Sequence, residues 1–301
     1  MKRISNLIPL LTAIAFFSLL LIASCSKERS SGATPAQEQE ASQVSSESDA
    51  EADLVFNGVF DNAMGVNNDL GIAGTGVFTG KTDTLVPVPR CFTVTITRAS
   101  ANVLFPAHVV IDFGTAGCPG PDGHLRRGKI IIEYTNRLII PGASATVTLD
   151  GFYVDSVKVQ GTLTVTNASA NSTRIFKVDV TGAKLTRPNG NYTEWTSHKT
   201  ITQIEGFNTP DFPRDDVFRI EGNSNGHARR GNLIVGWESG ITEPLIKRFT
   251  CQWVVKGIIK TVRVNSSATS PWVATLNFGT GGCDDQAIVT INGVAHQITL
   301  P

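Results

Sequence analysis

The chain has 301 residues, enough for one large domain or two modest ones. Its 26 Lys and Arg balance its 26 Asp and Glu, so it lacks the basic excess of a nucleic-acid binder. The balance is uneven: Lys2 and Arg3 give residues 1–24 a charge of +2, and residues 54–301 carry +3, while Lys27 and Arg29 against Glu28, Glu38, Glu40, Glu47, Asp49, Glu51 and Asp53 leave residues 26–53 at −5.

The chain opens with the basic stretch MKRISN and the apolar stretch LIPLLTAIAFFSLLLIAS. It reads as a signal peptide over residues 1–24. The apolar stretch ends in LIASC, an aliphatic residue, two small residues and a cysteine. That is the pattern of a bacterial lipoprotein cleavage site. It implies cutting after Ser24, diacylation of the Cys25 thiol, and attachment to the membrane through that lipid.

Residues 26–53 hold no aromatic side chain and few aliphatic ones. Such a composition buries too little surface to offset its ordering entropy, so residues 25–53 are expected to form a disordered acidic tether. In DLVFNGVFDNAM, residues 53–64, Phe56, Phe60 and Ala63 recur at helical spacing and predict one short amphipathic helix.

From about residue 77 the pattern changes to period-two alternation punctuated by Asn-Gly and Asp-Gly pairs at 122, 150, 189, 225 and 292. Runs such as IIIEY, VKVQGTLTVT, IFKVDV and NLIVGW are strand-like. The body, residues 54–301, is therefore expected to be all-β and antiparallel, an elongated sheet or sandwich with sub-units near 77–165 and 166–301.

Two stretches echo each other. DFGTAGC at 112–118 returns as NFGTGGC at 277–283, and GHLRRGKIIIEY at 123–134 returns as GHARRGNLIVGW at 226–237. With Cys25 lipidated, four cysteines remain, and spacing alone leaves three connectivities open. Strand pattern chooses among them. CFTVTITR followed by HVVIDF folds as a hairpin that returns Cys118 to Cys91, and QWVVKGIIKTVRV followed by WVATLNF returns Cys283 to Cys251.

No complete catalytic or nucleotide-binding motif is present. GVFTGKT has three residues, not four, between its first Gly and Gly-Lys-Thr, and the D-F-G at Asp112 has no catalytic loop or strand Lys to go with it. Neither a cofactor, nor a nucleotide, nor a metal is expected, since the five His are scattered and no Cys pair has ligand spacing. GNSNGH spells the G-x-S-x-G of a hydrolase around Ser224, but a strand pattern follows it where the nucleophile elbow needs a helix. The doubled G-H-x-R-R-G supplies the candidate binding residues. Strand alternation puts His124 and Arg126 at the rim of a face with Tyr134, and His227 and Arg229 at the rim of a face with Trp237, while Arg127 and Arg230 point away. A His/Arg pair beside an aromatic suits a carboxylate or sulfate on a glycan.

Together the cleavage site, the acidic segment, GKIIIEYTNRLIIPG, VKVQGTLTVTN, TQIEGFNTPDFPRDDVFRIEG and FGTGGCDDQAIVTINGVAHQITLP resemble a group of uncharacterised exported lipoproteins of Bacteroidota. The resemblance implies a cell-envelope location at the outer membrane, and leaves the periplasmic or external face open. The expected function is a non-enzymatic binding or structural role toward a glycan or an envelope protein. The alternative is a hydrolase of envelope polymers.

Overall fold

A computed structural model describes residues 34–65, 91–100, 102–120, 123–170, 173–207, 215–251, 253–264, 273–291 and 293–300. The expected signal peptide, Cys25, the Gly71–Thr82 segment and Asn292 lie outside the described residues. No described helix is long and apolar enough to cross a membrane.

Among the described residues the alternating runs form fourteen strands: β1 (Thr93–Ser100), β2 (Val103–Asp112), β3 (Cys118–Pro119), β4 (Leu125–Tyr134), β5 (Ser144–Val154), β6 (Val157–Asn167), β7 (Ile175–Thr186), β8 (Tyr192–Glu205), β9 (Val217–Arg230), β10 (Leu233–Arg248), β11 (Val254–Arg263), β12 (Val273–Thr280), β13 (Gln286–Ile291) and β14 (Val294–Thr299). They make one antiparallel sheet in chain order from β1 to β14, with the two-residue β3 set against the start of β4. Each strand pairs with its sequence neighbour, as short polar turns require. The all-β expectation therefore holds, and the two suggested sub-units are strands of one continuous sheet.

Among the described residues one helix, α1 (Pro35–Gly65), precedes the sheet. It begins far upstream of the short helix expected near residue 54, and it overturns the disordered tether for residues 35–53. The physical reason lies in which residues it buries. Ala41, Ser42, Ser45, Ser48, Asp49, Ala52, Phe56, Val59, Phe60 and Ala63 form a 3.6-period stripe, all under 9% exposed. Its first half is made of small and polar residues, so composition reads as disorder. The partners that order it are contributed by the sheet.

α1 touches or hydrogen-bonds β4, β5, β6 and each strand from β8 through β13, which together bound a run of ten strands. Strands lie about 4.8 Å apart, so ten flat strands would span roughly 43 Å, against a helix about 10 Å across. The sheet must therefore curl around α1. Bulges bend it, with ladder irregularities falling at Gly128, Gly161, Gly182 and Gly257. At Gly128 (φ 81°) a Cβ would sit 2.0 Å from the Gly151 carbonyl oxygen, and at Gly161 (φ 133°) 2.8 Å from Ala183 Cα, so only glycine fits.

The two disulfides join the predicted pairs. Cys91–Cys118 spans 5.4 Å between Cα atoms and Cys251–Cys283 spans 5.8 Å. The echoed boxes also share a local device. Asp112 Oδ1 accepts a hydrogen bond from Gly114 N at 2.8 Å, and Asn277 Oδ1 accepts one from Gly279 N at 2.8 Å. The D-F-G letters are an Asx turn that ends a strand.

A candidate ligand cavity beneath the acidic helix

α1 carries seven acidic residues, Glu38, Glu40, Glu47, Asp49, Glu51, Asp53 and Asp61, and no basic one. The concave face of the sheet supplies the opposite charge. Arg263 of β11 pairs with Glu38, Lys199 of β8 with Asp53, and Arg187 with Glu51. Arg230 of β9 donates to Ser48 Oγ at 2.8 Å and lies 3.5 Å from Glu51. Asp49 carries the densest contact. Its Oδ1 accepts hydrogen bonds from Trp195 Nε1 at 2.7 Å, Ser224 Oγ at 2.8 Å and Trp237 Nε1 at 3.1 Å. At the other end of α1, the Tyr134 hydroxyl donates to the Ala63 carbonyl at 2.7 Å, and its burial raises the phenol above its ordinary range. Buried ion pairs give back in desolvation much of what they gain, so these contacts fix the position and register of α1 more than they add stability. Phe56, Val59, Phe60 and Met64 contribute the apolar burial, about 1.5–3 kcal/mol per large side chain.

The doubled G-H-x-R-R-G motif takes two different structures. In the first copy the stretch from Leu125 onward is strand β4, bulged at Gly128, and Gly123 and His124 precede it. Arg126 and Tyr134 share the concave face as expected, but Arg126 is 5% exposed and lies against Gly58 of α1, where an added Cβ would be 3.3 Å from its Nη2. His124 Nδ1 meets Asp155 Oδ2 at 2.9 Å. Burial opposes ionisation of Asp155, but the Leu125 N–H and His124 outweigh it and hold the carboxyl below its ordinary range.

In the second copy Gly231 and Asn232 form a two-residue turn, and Trp237 stands opposite Gly226. That turn pairs odd positions with even ones. Trp237 thus lies on the concave face with Ala228 and Arg230, while His227 and Arg229 are exposed on the convex face. The expected face shared by His227, Arg229 and Trp237 is corrected accordingly, as is the outward Arg230. His227 Nε2 sits 2.9 Å from Glu194, whose carboxyl is held low first by the Lys184 hydrogen bond. Arg229 donates to the Gly231 carbonyl at 3.0 Å. The six candidate residues therefore do not converge on one site.

Ser224, beside the Asn225-Gly226 pair expected to punctuate the strands, is inside β9, 8% exposed, with its hydroxyl given to Asp49. In this place it anchors α1. Among the described residues, no group of three or more His, Cys, Asp or Glu is placed to hold a metal.

Between α1 and strands β8–β12 the curled sheet leaves a cavity of about 160 Å³. Its apolar wall includes Ile241, Val254, Ile259, Leu276 and Phe278, and its polar wall includes Asp49, Ser224, Ser239 and Thr261. Ser239 and Thr261 hydrogen-bond each other at 2.9 Å. Lys247 is fully buried at its edge and donates to the Cys251 carbonyl; burial pushes its amine down to about 8, against the opposing pull of Asp61. Trp253 also lines the cavity, and its indole N–H is buried without a hydrogen-bond partner among the described residues. Sequence reasoning missed this site. One signal was present: Lys247 alternates with Leu245 and Phe249, which places it on the buried face of β10.

Comparison with protein-family models, with curated proteins and with solved structures finds no match for this chain.

Proposed function

We propose that the chain is a lipid-anchored cell-envelope protein of the Bacteroidota lipoprotein type whose role is to bind a ligand without transforming it. The observation that carries the binding role is the cavity of about 160 Å³ beneath α1, with apolar side chains on one wall and Asp49, Ser224, Ser239 and Thr261 on the other. Cores are packed to near-crystalline density, so an unfilled space of this size marks a place for another molecule. The LIASC cleavage pattern supports the lipid anchor, and the two disulfides suit an exported protein. With Arg126, Tyr134 and Trp237 engaged in the sheet and the helix, the cavity, which His124 also lines, takes their place as the candidate site.

Two measurements test the reading. Metabolic labelling with palmitate should mark the wild type and not Cys25→Ala; equal labelling of both would reject the anchor. Leu276→Trp, which fills the cavity from its apolar wall, should abolish uptake of small apolar probes while the melting temperature stays within a few degrees of wild type. Undiminished uptake in a folded Leu276→Trp would place binding elsewhere.

A further inference from the structure

We propose that the cavity takes a small organic ammonium, a primary amine on a ring or short chain, and that the Asp49 carboxylate is its counter-charge. This deepens the binding reading above and rests on it. Charge balance, wall chemistry and size each narrow the ligand.

The charge balance calls for a cation. Asp49 lines the cavity and is 6% exposed. Its Oδ1 accepts from Trp195 Nε1, Ser224 Oγ and Trp237 Nε1, all neutral donors, and no Lys, Arg or His among the described residues pairs with it. The other charged side chains on the lining are engaged. Asp53 pairs with Lys199, His124 with Asp155, and Lys247 faces Asp61 and donates to the Cys251 carbonyl. One carboxylate is thus left without a counter-charge. Neutral hydrogen bonds hold it in place but do not cancel its charge, and buried charges are ordinarily paired. A cation in the cavity completes the pair. An anion would be repelled by Asp49 and would find the lining cations already taken.

The wall decides what kind of cation. An ammonium has three N–H donors, and the Asp49 carboxylate and the Ser239 and Thr261 hydroxyls are acceptors on the polar wall. Ile241, Val254, Ile259 and Leu276 reward an apolar body, and the aromatic Trp195, Trp253 and Phe278 suit a cation better than more aliphatic wall would. A metal ion needs several ligands at once, and no such group forms among the described residues. The volume of about 160 Å³ is close to that of an engineered apolar cavity in another protein that holds one benzene ring, so about six to eight heavy atoms fit.

Benzylamine, benzyl alcohol and benzoate each have one ring and similar size, and at neutral pH they are a cation, a neutral molecule and an anion. Isothermal titration of each into the mature chain carrying Cys25→Ser, which removes only the lipid, tests the proposal. Benzylamine should bind at least about tenfold more tightly than benzyl alcohol, the difference between a charged and a neutral hydrogen bond, and benzoate should bind more weakly than either. Asp49→Asn keeps an acceptor oxygen and loses the charge, so there the advantage of benzylamine should fall below about twofold while benzyl alcohol still binds. Leu276→Trp should abolish benzylamine binding, which places the amine in the cavity even if Asp49→Asn does not fold. Equal or tighter binding of benzyl alcohol in the wild type, tighter binding of benzoate, or an advantage that survives Asp49→Asn would overturn the cationic ligand and leave the cavity reading standing. Failure of all three to bind, or benzylamine binding undiminished in a folded Leu276→Trp, would overturn the cavity reading as well.

Discussion

Replacing Asp49 with alanine tests how α1 is held. Asp49 is 6% exposed, and its Oδ1 accepts from Trp195, Ser224 and Trp237 at 2.7, 2.8 and 3.1 Å. Asp49→Ala strands three donors at once. A buried donor left unmet costs about 1–3 kcal/mol, which gives about 3–9 kcal/mol for the set. Trp195 and Ser224 border the cavity, where water can replace the carboxylate, whereas Trp237 is 1% exposed. The lower part of the range is therefore expected, about 3–5 kcal/mol, or a fall in melting temperature of roughly 6–20 °C for a body of this size. Urea unfolding followed by tryptophan fluorescence measures the loss, and near-ultraviolet circular dichroism reports the ordering of the two indoles. Asp49→Asn keeps an acceptor oxygen and should lose less than Asp49→Ala. A loss under about 1 kcal/mol for Asp49→Ala would refute the claim that this carboxylate positions the helix.

Three further outcomes are expected. Burial pushes the Asp216 carboxyl up to about 6, so between about pH 4 and 6 the folded chain keeps a proton that the unfolded chain has released. Stability should then fall across that window by roughly 2–3 kcal/mol as pH rises, and Asp216→Asn, which retains an acceptor for Gln203, should flatten the slope; an identical slope in the variant would sink the assignment. Gly226→Ala should destabilise by about 1–3 kcal/mol in chemical denaturation, because its Cβ would lie 2.4 Å from the Glu194 carbonyl oxygen and 2.7 Å from the Trp237 ring; an unchanged denaturation midpoint would contradict the packing. Opening Cys251–Cys283, which closes a separation of 32 residues, as a Cys251→Ser/Cys283→Ser pair should cost about 3–4 kcal/mol by loop entropy, and wild-type stability in that pair would contradict the constraint.

The sheet and both disulfides were legible because a period of two is local and a hairpin brings its own ends together. Cys91 with Cys118 and Cys251 with Cys283 needed only that geometry. Two things were hidden for different reasons. The face of His227 and Arg229 depends on parity, and the turn at Gly231–Asn232 reverses it, so the R-R-G that continues as strand in β4 folds back between β9 and β10. The helix over residues 35–53 depends on Lys199, Arg230 and Arg263, more than 140 residues away in the chain. Its spacing of Ala41, Ser45, Ser48 and Ala52 is helical, but these residues are too small to register as an apolar stripe. The cavity is further still from the sequence, since Trp253, Leu276 and Asp49 meet only when the sheet has curled around the helix.

The central claim is that the acidic segment is an ordered wall of the protein. Backbone hydrogen exchange over residues 38–63 of the mature chain, at low salt and neutral pH, tests it most directly. Amides from Ala41 through Ala63 should exchange far more slowly than an unstructured chain, with protection approaching that of β8 through β10 in the Phe56–Ala63 half. Exchange of residues 38–53 at the rate of a free peptide would contradict the account, removing both the wall of the cavity and the reason for the basic concave face.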